Sequence, residues 1–368
     1  MSRPHAGGVR ITLVAETFLP VADSTTTTAK AVLDRLVDAC HAAQVITTGP
    51  GLATYRGCPV VRLRPLDRFG AQVGAALDAF EPDLVHVSSP GTVGRVALKA
   101  AQRRGVPRLV LEQSALQDVP SEAWHSKVVE RASTVLVSSS WARDRLARQS
   151  VDVGVWTPGV DRAAFTPALR DQWLHDRWAR ARSRPRPLVV VGYVGTLRNR
   201  NDVRRLADLA SVPGIRPVVV GDGSQRGWLD ARLPDAKLLG AISTSDLTAV
   251  LPSFDLLVHP GTRETCCHTL RQAAAAGVPV VAPRAGAVPE VVRHLETGLL
   301  YDPDDSAGLR RAVATVAGDP HRALLGARAR ELAARTWTDA VDELVDRHYR
   351  PLVVRSRAHG RAPASNGA

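Results

Sequence analysis

Cysteine and aromatic side chains are scarce in this chain, with four Cys and 4% Phe, Trp and Tyr in 368 residues. Four cysteines without a paired spacing exclude a disulfide framework and a zinc ribbon, and they suit a reducing cytoplasm. No apolar run is long enough to cross a bilayer, and residues 1–10 lack the apolar centre of a signal peptide. With few aromatics, no zinc-finger spacing and no aromatic-rich RNA-binding strand, only charge is left to engage bases. Nucleic acid is therefore not an expected partner. No spacing of metal ligands is visible either.

What is present describes a globular α/β protein: 45% apolar residues with 28 Gly and 25 Pro. The length suits two domains of ordinary size. A formal charge of +12 comes almost entirely from arginine. Genome composition accounts for such a bias, and the same charge would favour an anionic donor or an anionic membrane surface.

Short apolar runs alternate with helical patterns in the first half. Strands are expected at 9–15, 43–47, 60–63, 84–87, 108–111, 134–137 and 153–156, with helices at 27–40, 93–104 and 140–148. This is the pattern of a parallel sheet. A polar, basic, proline-ended stretch then places a linker at 169–187, between a domain at 1–168 and one at 188–335. The second domain repeats the alternation, with strands at 188–194, 216–220, 237–239, 256–259 and 279–282. A helix at 336–352 follows through Trp337, Val341, Leu344 and Tyr349, and the composition of 353–368 predicts a disordered tail.

The segment at 255–290 is the most informative. An apolar strand ends at His259, a turn carries Glu264, a helix opens near 265–269, and the next strand starts at Val278. Ligands of doubly wound sheets sit at such strand ends, where a helix start offers unpaired N–H groups to a phosphate. Cys266, Cys267 and His268 invite a metal reading with His259, but adjacent residues rarely converge on one ion, so small side chains at a crowded helix start fit better. Gly221, Asp222 and Gly223 fail the dinucleotide spacing, because Gly227 comes one residue late. A tight turn near a nucleotide base is expected there.

Seven segments carry a family resemblance: Val-Ala-Glu-Thr-Phe-Leu-Pro at 14–20, Pro-Asp-Leu-Val-His at 82–86, Gly-Val-Asp at 159–161 with Phe165 and Pro167, Val-Gly-Tyr-Val-Gly at 191–195, Val-Val-Val-Gly-Asp-Gly at 218–223, the 255–290 block, and Glu-Thr-Gly-Leu-Leu-Tyr at 296–301. In order and spacing they resemble the family 4 glycosyltransferases from about residue 9 to 349, and within them the actinobacterial GDP-mannose-dependent α-mannosyltransferases. The resemblance implies a GT-B fold: two Rossmann-like domains facing a cleft, with the C-terminal helix crossing back to the first. It implies retaining transfer of a hexose, mannose from GDP-mannose, to a glycolipid or glycan acceptor. It implies no bound metal and no cofactor. A cytoplasmic enzyme in peripheral contact with the inner membrane face is expected.

Residue by residue, the resemblance gives Glu264 the sugar hydroxyls, and gives the backbone of Thr265, Cys266, Cys267, His268 and Thr269 the diphosphate. Where the family has a second Glu for the ribose, this chain has Gln272. After Gly195 the family places Arg and, five further on, Lys; here stand Thr196 and Asn201, which makes Arg198 and Arg200 the substitute catalytic cations. On the acceptor side, the loop after the first strand has no glycine and offers Asp23 and Ser24. Ala115 occupies an acidic position, leaving Gln113 and Ser114 as polar contacts. His86 reads as a structural histidine. Four departures at charged positions (Thr196, Asn201, Gln272, Ala115) keep an alternative open: a catalytically impaired homologue acting as a binding or regulatory protein.

Overall fold

The computed structural model describes residues 8–21, 23–65, 67–114 and 122–359. They form two compact units, one running to Pro158 and resuming at Trp337, the other spanning Gly159–Thr336.

In the first unit the apolar runs become β1 (Arg10–Ala15), β2 (Ala42–Thr47), β3 (Thr54–Tyr55), β4 (Cys58–Arg62), β5 (Leu84–Ser88), β6 (Arg108–Glu112), β7 (Thr134–Val137) and β8 (Gly154–Val155). Their order is β3-β4-β2-β1-β5-β6-β7-β8, and every pairing is parallel except β3 with β4. Ile11, Leu13, Leu84 and Leu109 are buried, as expected of strands covered on both faces. The helix Ser24–Asp38 is N-capped by Asp23, whose carboxylate accepts from Thr26 N at 2.7 Å. Its Ala29, Val32, Leu33 and Leu36 form one buried face, each large side chain contributing roughly 1.5–3 kcal/mol by burial.

The C-terminal helical run, Trp337–Leu344, Val345–Tyr349 and Arg350–His359, belongs to this unit. Val341, Leu344, Val345, Tyr349 and Val353 share a core with Leu33 and Leu36. Trp156 Nε1 donates to Ala340 O at 2.7 Å, and Arg35 grips Asp342 through two bonds of 2.7 and 2.8 Å. Tyr349 Oη lies 2.5 Å from His86 Nδ1. Burial pushes the fully enclosed His86 imidazole down to about 3, so it stays neutral and structural. The helix runs on to His359, so the tail expected from 353 is helical over its first seven residues, held by Val353; 360–368 lie outside the described residues.

The second unit holds β9 (Val189–Val194), β10 (Ile215–Val220), β11 (Lys237–Gly240), β12 (Leu256–Val258), β13 (Val280–Pro283) and β14 (Gly298–Tyr301) in the order β11-β10-β9-β12-β13-β14. The segment expected as a linker, 169–187, lies inside this unit, so the division falls at Pro158 rather than at 168. Asp171 caps a helix at Gln172–Ala179, and Trp178 packs 5.8 Å from the Phe254 ring. Asp255 receives Arg170 at 2.9 Å and His175 at 3.1 Å. Burial alone would raise the Asp255 carboxyl, but His175, the Val190 N–H and Arg170 hold it at about 2. The polar composition conceals a helix clamped to the sheet.

Candidate functional site

In the second unit the strand order reverses between β9 and β12, which leaves a gap beyond their carboxyl ends where the two following loops diverge. The loop after β9 is laced to the loop after β10. Gly195 N donates to Val220 O at 3.0 Å, Leu197 N to Asp222 O at 2.9 Å, and Gln225 N to Leu197 O at 2.9 Å. Gly221 has φ +133°, and a Cβ there would sit 1.9 Å from Gly195 O, so only glycine permits this approach. Gly195, Gly221, Asp222 and Gly223 are thereby brought together, with Asp222 accepting from Gly223 N at 2.7 Å.

Thr196 and Asn201 turn inward on their own loop. Thr196 O accepts from Asn201 Nδ2 at 2.8 Å and from Tyr193 Oη at 3.3 Å. Asn201 thus rigidifies the turn in which Arg198 and Arg200 stand exposed, their side chains without a hydrogen bond or ion pair among the described residues. Asp202, in the left-handed region at φ +53°, ties this loop to the one after β12. Its carboxylate accepts from Thr262 N at 2.9 Å and Thr262 Oγ1 at 2.7 Å.

Glu264 lies in that second loop. Ala287 N donates to Glu264 O at 2.9 Å, and Gly286, at φ +57°, leaves room for this because a Cβ would press 2.8 Å from the same oxygen. Its carboxylate faces His259 Nε2 at 3.2 Å. Burial would raise the Glu264 carboxyl, but His259, His268 and the Cys267 N–H outweigh it and keep the group below its ordinary value, hence ionised. Tyr193, close enough to feel Glu264, has its hydroxyl pushed up by burial and by that negative charge. His259 is itself buried, and neither ring nitrogen meets hydrogen-bond geometry with a partner among the described residues, so its 3.2 Å approach to Glu264 is a charge contact rather than an aligned hydrogen bond.

The helix begins at His268, three residues later than the first expected position, and runs His268–Ala275. Cys267, at φ +53°, caps it in the left-handed conformation, so Thr265, Cys266 and Cys267 form the turn before the helix. Both thiols are buried, and Cys267 is pushed up by burial, which makes them packing groups. His268, Thr269 and Gln272 are half-buried on the first turns. Among the described residues no three His, Cys, Asp or Glu groups converge to hold a metal ion.

The residues expected on the acceptor side belong to the first unit and serve its own structure. Asp23 caps its helix and accepts from Thr17 Oγ1 at 2.7 Å, while Ser24 opens the helix, exposed. Gln113 Nε2 donates to Thr28 Oγ1 at 2.6 Å; Ser114 donates through N and Oγ to Glu112 at 2.9 and 2.6 Å. Ala115 falls outside the described residues. Missed in the sequence was Glu112 itself, a buried carboxyl at the end of β6 that burial pushes up. Missed too were Asp202 and Tyr193, and the exposed Arg263 and Arg284 beyond β12 and β13. A charged residue closing an apolar strand run was the available signal for Glu112.

Two family models match: Glycosyltransferase Family 4 over residues 25–164 and Glycosyl transferases group 1 over residues 188–319. A GDP-mannose-dependent alpha-mannosyltransferase of Mycolicibacterium smegmatis is 33% identical, covering 94% of this chain and 98% of its own length. A protein of the same name from Mycobacterium tuberculosis is 33% identical over 93% and 96%. Among solved structures, sucrose-phosphate synthase from Thermosynechococcus elongatus superposes with a TM-score of 0.77 at 21% identity, covering 94% of this chain and 100% of that one. HepE of Anabaena in complex with UDP and glucose does so with a TM-score of 0.77 at 18% identity, covering 93% and 100%.

Proposed function

We infer the reaction from one premise: the chain belongs to family 4 of the glycosyltransferases, has their GT-B fold and is a glycosyl-transfer enzyme. The inferred reaction is retaining transfer of mannose from GDP-mannose to a glycolipid or glycan acceptor, with no resident metal or cofactor, at the cytoplasmic face of a membrane. The names of the mannosyltransferases that align along nearly the whole chain support the donor. The observation that carries the site is Glu264, kept ionised beside His259 on a loop locked by Asp202 and Gly286.

On this proposal the Glu264 carboxylate accepts hydrogen bonds from sugar hydroxyls and sets the position of the anomeric carbon. As the bond to the diphosphate breaks, negative charge grows on the leaving oxygens while the sugar gains oxocarbenium character. The unpaired N–H groups at the start of His268–Ala275 and the guanidiniums of Arg198 and Arg200 are the positive partners for that charge. Gln272 offers its amide to the ribose.

Incubation with GDP-mannose and a polyprenyl or phosphoinositide glycolipid, with the product's anomeric configuration read by NMR, tests this. An α-mannoside formed equally with and without a chelator is expected. Chelator-sensitive transfer, or an inverted product, would contradict it. Among the described residues no helix is long and apolar enough to cross a membrane.

A further inference from the structure

The helix Gln172–Ala179 and the strand-free stretch behind it carry an exposed feature that the transfer site does not use. Trp173 is 62% exposed and Leu169 43% exposed, although an indole in water gains nothing from that placement. In the same stretch of chain Arg177, Arg180, Arg182, Arg184 and Arg186 are all exposed, and none makes an ion pair among the described residues. Arg177 stacks over the Trp173 ring at 5.3 Å. The acids of the same stretch are engaged: Asp171 caps the helix by accepting from Leu174 N at 2.9 Å, and Asp176 accepts from Gln172 at 2.6 Å and lies 3.1 Å from His175. Arg170, the remaining cation of the stretch, is bound to Asp255.

We propose that this exposed segment is a docking surface for an anionic lipid bilayer, with Trp173 and Leu169 entering the headgroup region and the five arginines holding the lipid phosphates. The pairing of an amphipathic ring with unpaired cations is what an interface between water and acyl chain selects, since the ring takes the boundary and the charges stay in the anionic layer. A single exposed indole gives a nucleic acid no run of stacking platforms, which favours the bilayer. The proposal locates the membrane contact of the proposed function and rests on that part of it, not on which sugar is transferred.

Vesicle co-sedimentation of the full chain tests it, using phosphatidylcholine vesicles with and without 30% phosphatidylglycerol. We expect binding only to the anionic vesicles and release in high salt. The triple variant Arg182→Ser, Arg184→Ser, Arg186→Ser should lower partitioning on the order of a hundredfold, and Trp173→Ala should lower it roughly tenfold. A control variant, Arg64→Ser, Arg68→Ser, Arg103→Ser, removes the same charge from exposed positions of the first unit and should retain binding. Circular dichroism verifies that each variant is folded. Equal loss in the two triple variants would overturn the proposal, because net charge alone would then explain binding. So would a Trp173→Ala variant that binds as the parent does, equal binding to neutral vesicles, or no binding at all.

Discussion

Glu264 is ionised because of its neighbours, not because of its residue type. Burial works against its charge, and the side chains of His259 and His268 with the Cys267 N–H reverse the outcome. Replacing it by Gln keeps the shape and removes the charge, so Glu264→Gln should lower kcat/KM on the order of 10²–10³-fold with an unchanged circular dichroism spectrum. Transfer at the parental rate would remove Glu264 from the site. The Arg198 and Arg200 side chains are exposed cations without partners among the described residues, and such a guanidinium is free to meet a diphosphate. Arg198→Ala and Arg200→Ala should each slow transfer, and the double variant should lose more than either. Parental activity in all three would sink their role as the replacement clamp. At this scale the sequence identifies residue types better than it identifies their work. Asn201 is readable only as a lost cation until its amide is seen on Thr196 O. Asp202 shows no signal at all, because its partner Thr262 is sixty residues away.

The element that matters most is the pair of loops at the reversal between β9 and β12, and Asp202 is the strap between them. Asp202→Ala removes both bonds to Thr262 and loosens the turn bearing Arg198 and Arg200. Donor affinity should fall roughly tenfold, a loss of about 1.4 kcal/mol in binding, read by calorimetry on the folded variant. Unchanged affinity would mean that the turn is held by Asn201 and the Gly221 contact alone. All strands but β3 and β14 were legible, because Val, Leu and Ile runs bounded by Gly and Pro leave few alternatives. The helix Gln172–Ala179 was not, since arginines and prolines masked a short apolar face of Leu174, Trp178 and Ala179 behind an Asp171 cap. The late helix start at His268 escaped notice for a backbone reason: Cys267 takes a left-handed conformation that its side chain does not advertise.

At the scale of the whole chain, the C-terminal helices return to the first unit and close its core over a neutral histidine. His86 titrates at about 3 when folded and near 6.5 when free. Between those values the unfolded chain binds the extra proton, so this contribution to stability is complete above about pH 6.5 and is lost as pH falls. Urea unfolding at pH 7 and pH 5 should differ by about 2 kcal/mol from this group, and His86→Gln should lack that part of the slope. An identical slope in the variant would show that His86 is not the titrating group. The helix itself was legible in the sequence, through Trp337, Val341, Leu344 and Tyr349 at helical spacing, while its return to the first unit was implied by the family resemblance. Its extension to His359 was not, because the tail's composition outweighed the single apolar signal of Val353.

A donor site in the second unit implies that the free protein binds the nucleotide before any acceptor is present. Calorimetric titration with GDP, GDP-mannose and UDP measures this directly. Binding of GDP and GDP-mannose with Kd below about 1 mM, and of UDP at least tenfold more weakly, is the predicted result. No saturable binding of any of the three would contradict a working donor site at the β9–β12 reversal.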